Sequence, residues 1–379
     1  MAKVIVIGPY HPALIEPELY EVTVSDDRIV DVNIKQGYTH RGIEKLLTTK
    51  TYAQDVLLCE RICGFCSHAH TTCYCQTVEK VFEVEPPERA KYIRTMLFEL
   101  ERLQSHYLWT ALLFHTLGEK EHFIKIVNAR EKIMDLIELI CGNRVHYGIN
   151  TIGGVRRDLN AEMIGRLERV LEDVTDLSEH IIHAVREFAP KLSGIGPLPR
   201  EKALALGVVG PVLRASGVES DVRKDDPYAA YENMDFEIQV EDEGDVLSRT
   251  LVRARETFES IKIIRQLLGD FPAGNIKTEI GEPPKEKEEV GRVEAPRGEL
   301  IYFIKSNGTN IPERVKIRTP SFMNERSLRE MLRGERLSDL PLILESIDRC
   351  ISCTNRLTLI DQRTGKRRRV ELAELRRGN

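Results

Sequence analysis

The chain has 379 residues with a net charge of −5, and 41% of them are hydrophobic and 30% charged; this is an ordinary globular composition, with room for one large core or for two or three domains. No apolar run approaches the roughly 20 residues that span a bilayer. The opening MAKVIVIGPYHP is cut short by Gly8 and Pro9 and lacks a signal-peptide layout, and the acidic balance excludes a general nucleic-acid binder. A cytoplasmic protein is expected, with a peripheral place on a membrane assembly left open.

Residues 1–35 alternate apolar and polar over short stretches, as in Tyr20-Glu21-Val22-Thr23-Val24, and Ser25-Asp26-Asp27 is good turn chemistry, so a β-hairpin or meander is expected there. From Pro86 and Pro87 the period changes to that of a helix, with Ile93, Met96, Leu97, Leu100, Leu103, Tyr107 and Ala111 on one face. A second helix is expected over about 119–141, with Val127, Met134, Ile137 and Cys141 inward. A polar, glycine-containing loop follows over 143–158. Asn160 is a good cap for a third helix through Ile164, Leu167, Leu171, Val174 and Ile181. A fourth runs from after Gly244 to near Gly269, Gly281 to Gly291 is a solvated excursion, and the tail after Leu357 is patterned as a hairpin. Long helices in succession predict an α+β, mainly α fold, with a central helical bundle and a small N-terminal β region. The expected division is 1–50 for the β region and loop, 51–356 for a helical core, and 357–379 for the C-terminal hairpin. The basic cluster Lys366 to Arg369 on that tail reads as a solvated strand or a subunit contact.

Two of the cysteine pairs carry chemistry. Cys63 and Cys66 lie in Glu60-Arg61-Ile62-Cys63-Gly64-Phe65-Cys66-Ser67-His68-Ala69-His70, and Cys350 and Cys353 in Asp348-Arg349-Cys350-Ile351-Ser352-Cys353. Two residues between cysteines let both sulfurs face one point, and four thiolates are soft ligands that suit zinc, iron–sulfur, or nickel and iron. The pairs stand near opposite ends of the chain, so a shared site has to close over the whole fold, whereas structural zinc sites usually gather their ligands locally. Cys141 on an apolar helix face and the Cys73/Cys75 pair read as packing residues.

The string Arg61-x-Cys63-Gly64-x-Cys66-x-x-x-His70, answered by Asp348-x-Cys350-x-x-Cys353-x-x-Arg356, resembles the large subunit of nickel–iron hydrogenases. Among these it looks closest to the energy-converting, membrane-associated group related to the quinone-site subunit of respiratory complex I. Gly8-Pro9-x-His11-Pro12, Gly142-Asn143-Arg144, Gly153-Gly154-Val155-Arg156-Arg157, Gly210-Pro211 and Glu294-Ala295-Pro296-Arg297-Gly298-Glu299 extend the resemblance along the chain.

The resemblance implies a nickel–iron centre carrying CO and cyanide, with Cys63 and Cys350 as terminal ligands and Cys66 and Cys353 as bridging ones. It implies Arg297, next to Pro296, over the metals; Pro320 and Ser321 as a segment that hydrogen-bonds cyanide; and His70 beside the bridging cysteine. Glu16 resembles the glutamate that relays protons to a nickel-bound cysteine. His40, in Gly37-Tyr38-Thr39-His40-Arg41-Gly42, resembles the complex I loop whose histidine helps bind quinone. The implied partners are an iron–sulfur small subunit, other hydrophilic and membrane subunits of a complex I-like assembly and, through them, ferredoxin. H2 and protons are the implied substrates, and the cytoplasmic face of a membrane is the implied place.

Two departures stand out. Arg349 occupies the position where the family has proline, and the chain continues past Arg356 to Asn379 although many relatives are cut after that motif. Two other readings follow: a nickel-free relative that reduces sulfur compounds or quinone, and a non-catalytic scaffold with a structural four-cysteine zinc site.

Overall fold

The computed structural model describes residues 3–8 and 17–350, and the backbone of two short strands in the tail. Glu16 and Cys353 lie outside the described residues. Strands β1 (Lys3–Ile7), β2 (Leu19–Ser25) and β3 (Arg28–Lys35) form an antiparallel sheet in that order. The period-two alternation holds in β2, where Tyr20, Val22 and Val24 are buried, and the turn at Asp26 is left-handed, with φ of 55°.

A loop and the single turn α1 (Ile43–Leu46) lead into α2 (Tyr52–Glu60) and α3 (Ser67–Phe82). Then come α4 (Glu88–Thr116) and α5 (Lys120–Cys141), as the apolar period predicts, with Pro87 in extended conformation at the start of α4. The predicted polar loop instead makes the two-residue strands β4 (Asn150–Thr151) and β5 (Gly154–Val155) and buries Tyr147, Ile149, Ile152 and Val155. Helix α6 (Ala161–Phe188) starts as expected on Asn160, whose Oδ1 accepts from the Met163 N–H at 2.9 Å. Short helices α7 (Arg200–Leu206), α8 (Pro211–Arg214) and α9 (Val222–Asp225) precede the long α10 (Val246–Gly269).

The excursion after Gly281 ends sooner than its charge suggests. At Glu288 the chain enters a second antiparallel sheet, β6 (Glu288–Ala295), β7 (Gly298–Lys305) and β8 (Arg314–Arg318), which the charged surroundings hide at sequence level. Helices α11 (Pro320–Asn324), α12 (Leu328–Leu332) and α13 (Leu340–Ser346) complete the main body, and the tail strands β9 (Leu359–Ile360) and β10 (Arg367–Arg368) pair antiparallel.

Three apolar clusters organise these elements into a mixed helix-and-sheet fold. The largest lies among α4, α5, α6 and α10. A second joins the N-terminal sheet to α12, α13 and the end of α4 around Trp109. The third packs α2 and α3 on the second sheet, and it contains Cys63, Cys66, Cys73, Cys75 and Cys350. Among the described residues no helix is long and apolar enough to cross a membrane.

Candidate metal centre

The first cysteine pair sits in the connection between α2 and α3. Arg61 ends α2, and Cys66 occupies the cap position of α3 with non-helical φ and ψ of −135° and 42°. The positive end of a 16-residue helix therefore faces Cys66, an environment suited to an anionic ligand. Cys350 follows α13, after Asp348 has turned the chain with a left-handed φ of 52°. The two ends of the fold meet here: Sγ of Cys63 and Sγ of Cys350 are 3.2 Å apart across 287 positions of sequence. Cys63, Cys66 and Cys350 are all buried.

Arg297 reaches this place from the two-residue turn between β6 and β7, where Ala295 pairs with Gly298. The turn is pressed onto the loop before α8, and a Cβ on Gly298, whose φ is 123°, would lie 2.8 Å from the backbone of Gly210. Pro296 fixes the turn next to it. The guanidinium donates to Asp348 through Nε to the carbonyl oxygen and through Nη2 to Oδ1, both at 2.7 Å, and Nη1 donates to Ser105 Oγ at 3.3 Å. Burial opposes its charge, but Asp348 and the sulfurs of Cys350, Cys66 and Cys63 outweigh that and hold it protonated. Arg297 thus stands as a fixed cation among the three described cysteines, and the Phe65 ring lies 5.5 Å from its carbon.

Ser321, buried on α11 after Pro320, accepts from the Cys350 N–H at 3.0 Å and so fixes that ligand's backbone. His70 lies one turn into α3 from Cys66, with Nδ1 2.8 Å from the Tyr302 hydroxyl on β7. Burial pushes its imidazole down to about 4, which keeps it neutral. His40 sits half-buried in the loop before α1. Its neighbour Arg41 ties that loop to the cysteine loop, donating to the carbonyls of Arg61 and Ile62 at 2.7 Å each.

Arg349 does not point its charge at the sulfurs. Nη1 donates to Glu18 Oε2 at 2.9 Å and to the Tyr20 hydroxyl, and the guanidinium lies 5.3 Å from the Tyr20 ring centre. The cation that replaces the family's proline is thereby held on the side of the N-terminal sheet.

Several supporting residues have no motif to announce them. Glu101, Gln104 and Ser105 form one polar stripe of α4. The Glu101 oxygens accept from the N–H groups of His68 and Ala69 at 2.7 and 2.9 Å, Gln104 donates to the Phe65 carbonyl at 3.1 Å, and Ser105 accepts from Arg297. The stripe fastens both the start of α3 and the cysteine loop. Beside it a cavity of about 30 Å3, enough for roughly two waters, is lined by Phe65, Ser105, Trp109, Arg297, Glu345 and Asp348. Asp348 Oδ2 is buried with no hydrogen-bond partner among the described residues.

Among the described residues, no group of three or more His, Cys, Asp and Glu side chains is already arrayed as a metal cage. The donor set nevertheless suits a soft metal. Sulfurs from both ends of the chain converge in a buried pocket with a fixed cation beside them, and the fourth expected ligand, Cys353, lies beyond the described residues.

A fold of long helices and small sheets that brings Cys350, near one end of the chain, onto the Cys63–Cys66 loop near the other is that of a large subunit of the hydrogenase and complex I type. Sequence comparison agrees: residues 41–117 match a family described as nickel-dependent hydrogenase, and residues 116–290 and 277–356 match the 49 kDa subunit of respiratory-chain NADH dehydrogenase. The chain belongs to this family, in which complex I quinone-site subunits and the large subunits of energy-converting, membrane-bound hydrogenases are related. It is 41% identical to the carbon monoxide-induced hydrogenase of Rhodospirillum rubrum over 92% of this chain and 98% of that one. It is 35% identical to the membrane-bound hydrogenase subunit alpha of Pyrococcus furiosus over 94% and 88%. In three dimensions it matches a chain of the membrane-bound sulfane sulfur reductase, an archaeal respiratory membrane complex, with a TM-score of 0.89 and 34% identity over 94% and 98% of the two chains.

Proposed function

We propose that this chain is the catalytic large subunit of an energy-converting nickel–iron hydrogenase, cleaving and forming H2 heterolytically at a site held by Cys63, Cys66, Cys350 and Cys353. The observation that carries this reading is the approach of Cys63 and Cys350 to 3.2 Å beside Arg297, inside a buried pocket. Held by these cysteines, a nickel–iron group would supply the Lewis acidity that heterolytic cleavage needs. The chain supplies the rest. Four thiolates provide the ligands, and one of them is the first base for the proton. Arg297, pinned by Asp348, offers charge-assisted donors toward anionic diatomic ligands in a pocket shielded from bulk water. Ser321 and Pro320 set the Cys350 backbone, neutral His70 and Tyr302 back the first pair, and Glu16 is the expected carrier of protons outward.

An iron–sulfur small subunit passes electrons to ferredoxin, and further hydrophilic and membrane subunits of a complex I-like assembly hold the chain on the cytoplasmic face of the membrane. The quinone-type loop with His40 lies at that junction in this reading.

Metal analysis with infrared spectroscopy of the purified complex tests the proposal. Nickel, iron and the bands of CO and cyanide are expected, and Cys353→Ala abolishes H2 turnover while the helical core stays folded by circular dichroism. Retained turnover in that variant overturns the site assignment. The likeness to a sulfane sulfur reductase, together with Arg349, favours one second reading, a nickel-free subunit of a sulfur- or quinone-reducing complex. Iron in partner clusters without nickel supports that reading, and zinc alone supports a non-catalytic scaffold.

A further inference from the structure

On the far side of Arg349 from the sulfurs, four elements meet around buried acids. Glu18 precedes β2, Tyr20 is on it, Glu325 follows α11, and Arg349 comes from the segment after α13. Glu18 and Tyr20 are 0% exposed and Glu325 is 3% exposed. The Tyr20 hydroxyl donates to Glu18 Oε2, Arg349 donates to both, and Gln36, half-buried at the end of β3, donates its amide N–H to Glu325 Oε2.

The charges do not balance. Glu18 and Glu325 contact each other, and Glu345 approaches Arg349 from α13 but also faces Arg297 and Arg253, so among the described residues the touching pair has the one guanidinium of Arg349. Two touching carboxylates buried in low dielectric do not both stay ionised beside a single cation. The hydrogen bonds say the same. Glu18 Oε1 and Glu325 Oε1 are both buried acceptors with no partner among the described residues. A proton on either oxygen supplies the donor that the pair lacks. Burial, then contact with Glu18, pushes the Glu325 carboxyl well above the ordinary range, and burial pushes Tyr20 up, against Arg349. The groups that face the pair are Tyr20, Arg349 and, beyond it, Glu345, pushed up to about 7 by burial; Gln36 is neutral. A mere counter-ion for Arg349 needs one carboxylate, and here there are two in contact.

We propose that Glu18 and Glu325 together hold one exchangeable proton on the β2 side of Arg349, one residue from Cys350, and trade it with solvent past Gln36. The step is protonation of a carboxylate and its reverse, with no electron moved. Arg349 positions the pair, and its guanidinium decides that one proton is held and not two. Service of this proton to the metal centre rests on the hydrogenase reading; the proton-holding pair itself does not.

Infrared spectra of the purified complex in H2O and D2O at neutral pH read the site directly. The expected signal is one protonated-carboxyl C=O component that shifts in D2O, over and above those of other buried acids raised to about 8 such as Asp55 and Glu101. It disappears in Glu325→Gln and equally in Glu18→Gln, because the carboxyl left behind ionises beside Arg349, and it survives in Glu345→Gln. Arg349→Gln doubles it, since without the cation both carboxyls take a proton, and this variant keeps the test open where a glutamate variant fails to fold. A band that persists in both Glu18→Gln and Glu325→Gln, or is unchanged in Arg349→Gln, overturns the proposal. Nickel content and H2 turnover of the same samples separate the two claims: a nickel-free, inactive complex that still shows the band refutes the hydrogenase reading and leaves the proton site standing.

Discussion

Helix α4 buries two unlike faces. Toward α5 and α6 it presents Ile93, Met96, Leu97, Leu100, Leu103, Tyr107 and Ala111, part of one continuous apolar cluster. Away from them it presents Arg94, Glu99, Glu101, Arg102, Ser105 and His106, none more than 1% exposed. The first face needs only shape. The second needs every charge answered, and the partners come from far along the chain. Glu99 accepts from Arg102 at 3.1 Å, from Arg223 at 3.2 Å, from Ser260 at 2.6 Å and from the Tyr231 hydroxyl. Arg214 joins Glu256 at 2.7 Å and Glu294 at 2.8 Å, and His106 Nε2 lies 2.8 Å from Glu256. Burying paired ions adds little net stability. What the polar face adds is position, because it fixes α8, α9, α10 and β6 behind the turn that presents Arg297.

The largest expected effect therefore comes from breaking a charge that holds two others. Glu99→Gln keeps the side chain's size but leaves Arg102 buried without its carboxylate partner and Arg223 with Asp221 alone. A loss of about 3–5 kcal/mol is expected, read as a fall in the urea midpoint. A loss below about 1 kcal/mol would mean that the two arginines find other acceptors and that the polar face is not a unit. Leu100→Ala probes the opposite face. A buried leucine truncated in a packed cluster costs about 3 kcal/mol, and no shift in the pH dependence of stability should accompany it. The contrast lies in rescue: Leu100→Met restores most of the stability because volume is kept, whereas Glu99→Asp, shorter by a methylene, recovers little because the bonds to Arg223 and Ser260 need reach.

These two faces also mark how much the sequence discloses. The apolar face of α4 is legible because its spacing follows the helical period, and Asn160 and the prolines at 86–87 mark where helices begin. The cysteine pairs are legible from their spacing, and the resemblance points to Arg297, Ser321 and His70 before any coordinates. The stripe Glu101–Gln104–Ser105 is not, since polar residues at helical spacing ordinarily mean a solvated face. Nor is the destination of Arg349: a cation beside a ligand suggests a disturbed site, and only the tertiary fold reveals Glu18 and Tyr20 waiting on a strand more than three hundred positions earlier. The second sheet was hidden for a related reason, because Glu288, Glu289 and Arg292 are charged and the buried alternation begins only further along β6 and in β7.

The smallest effect tests the charge network by acid. Burial opposes ionisation of Glu256, but Arg214 and the hydrogen bond with His106 outweigh it, so its folded carboxyl lies well below the ordinary 4.5. A carboxyl depressed on folding contributes stability that is fully present above the unfolded value and is lost as pH falls through that value toward the folded one. The native protein should therefore weaken steadily from about pH 5 downward. Glu256→Gln removes that contribution at neutral pH and, with it, one proton from the acid uptake, so its stability falls less steeply over the same range. Chemical denaturation at a series of pH values measures both slopes. Parallel slopes would place the acid-labile charges elsewhere and separate Glu256 from the face of α4 that it answers through His106; the Leu100→Ala protein, equally destabilised at neutral pH or more so, supplies the control, because its slope should match the native one.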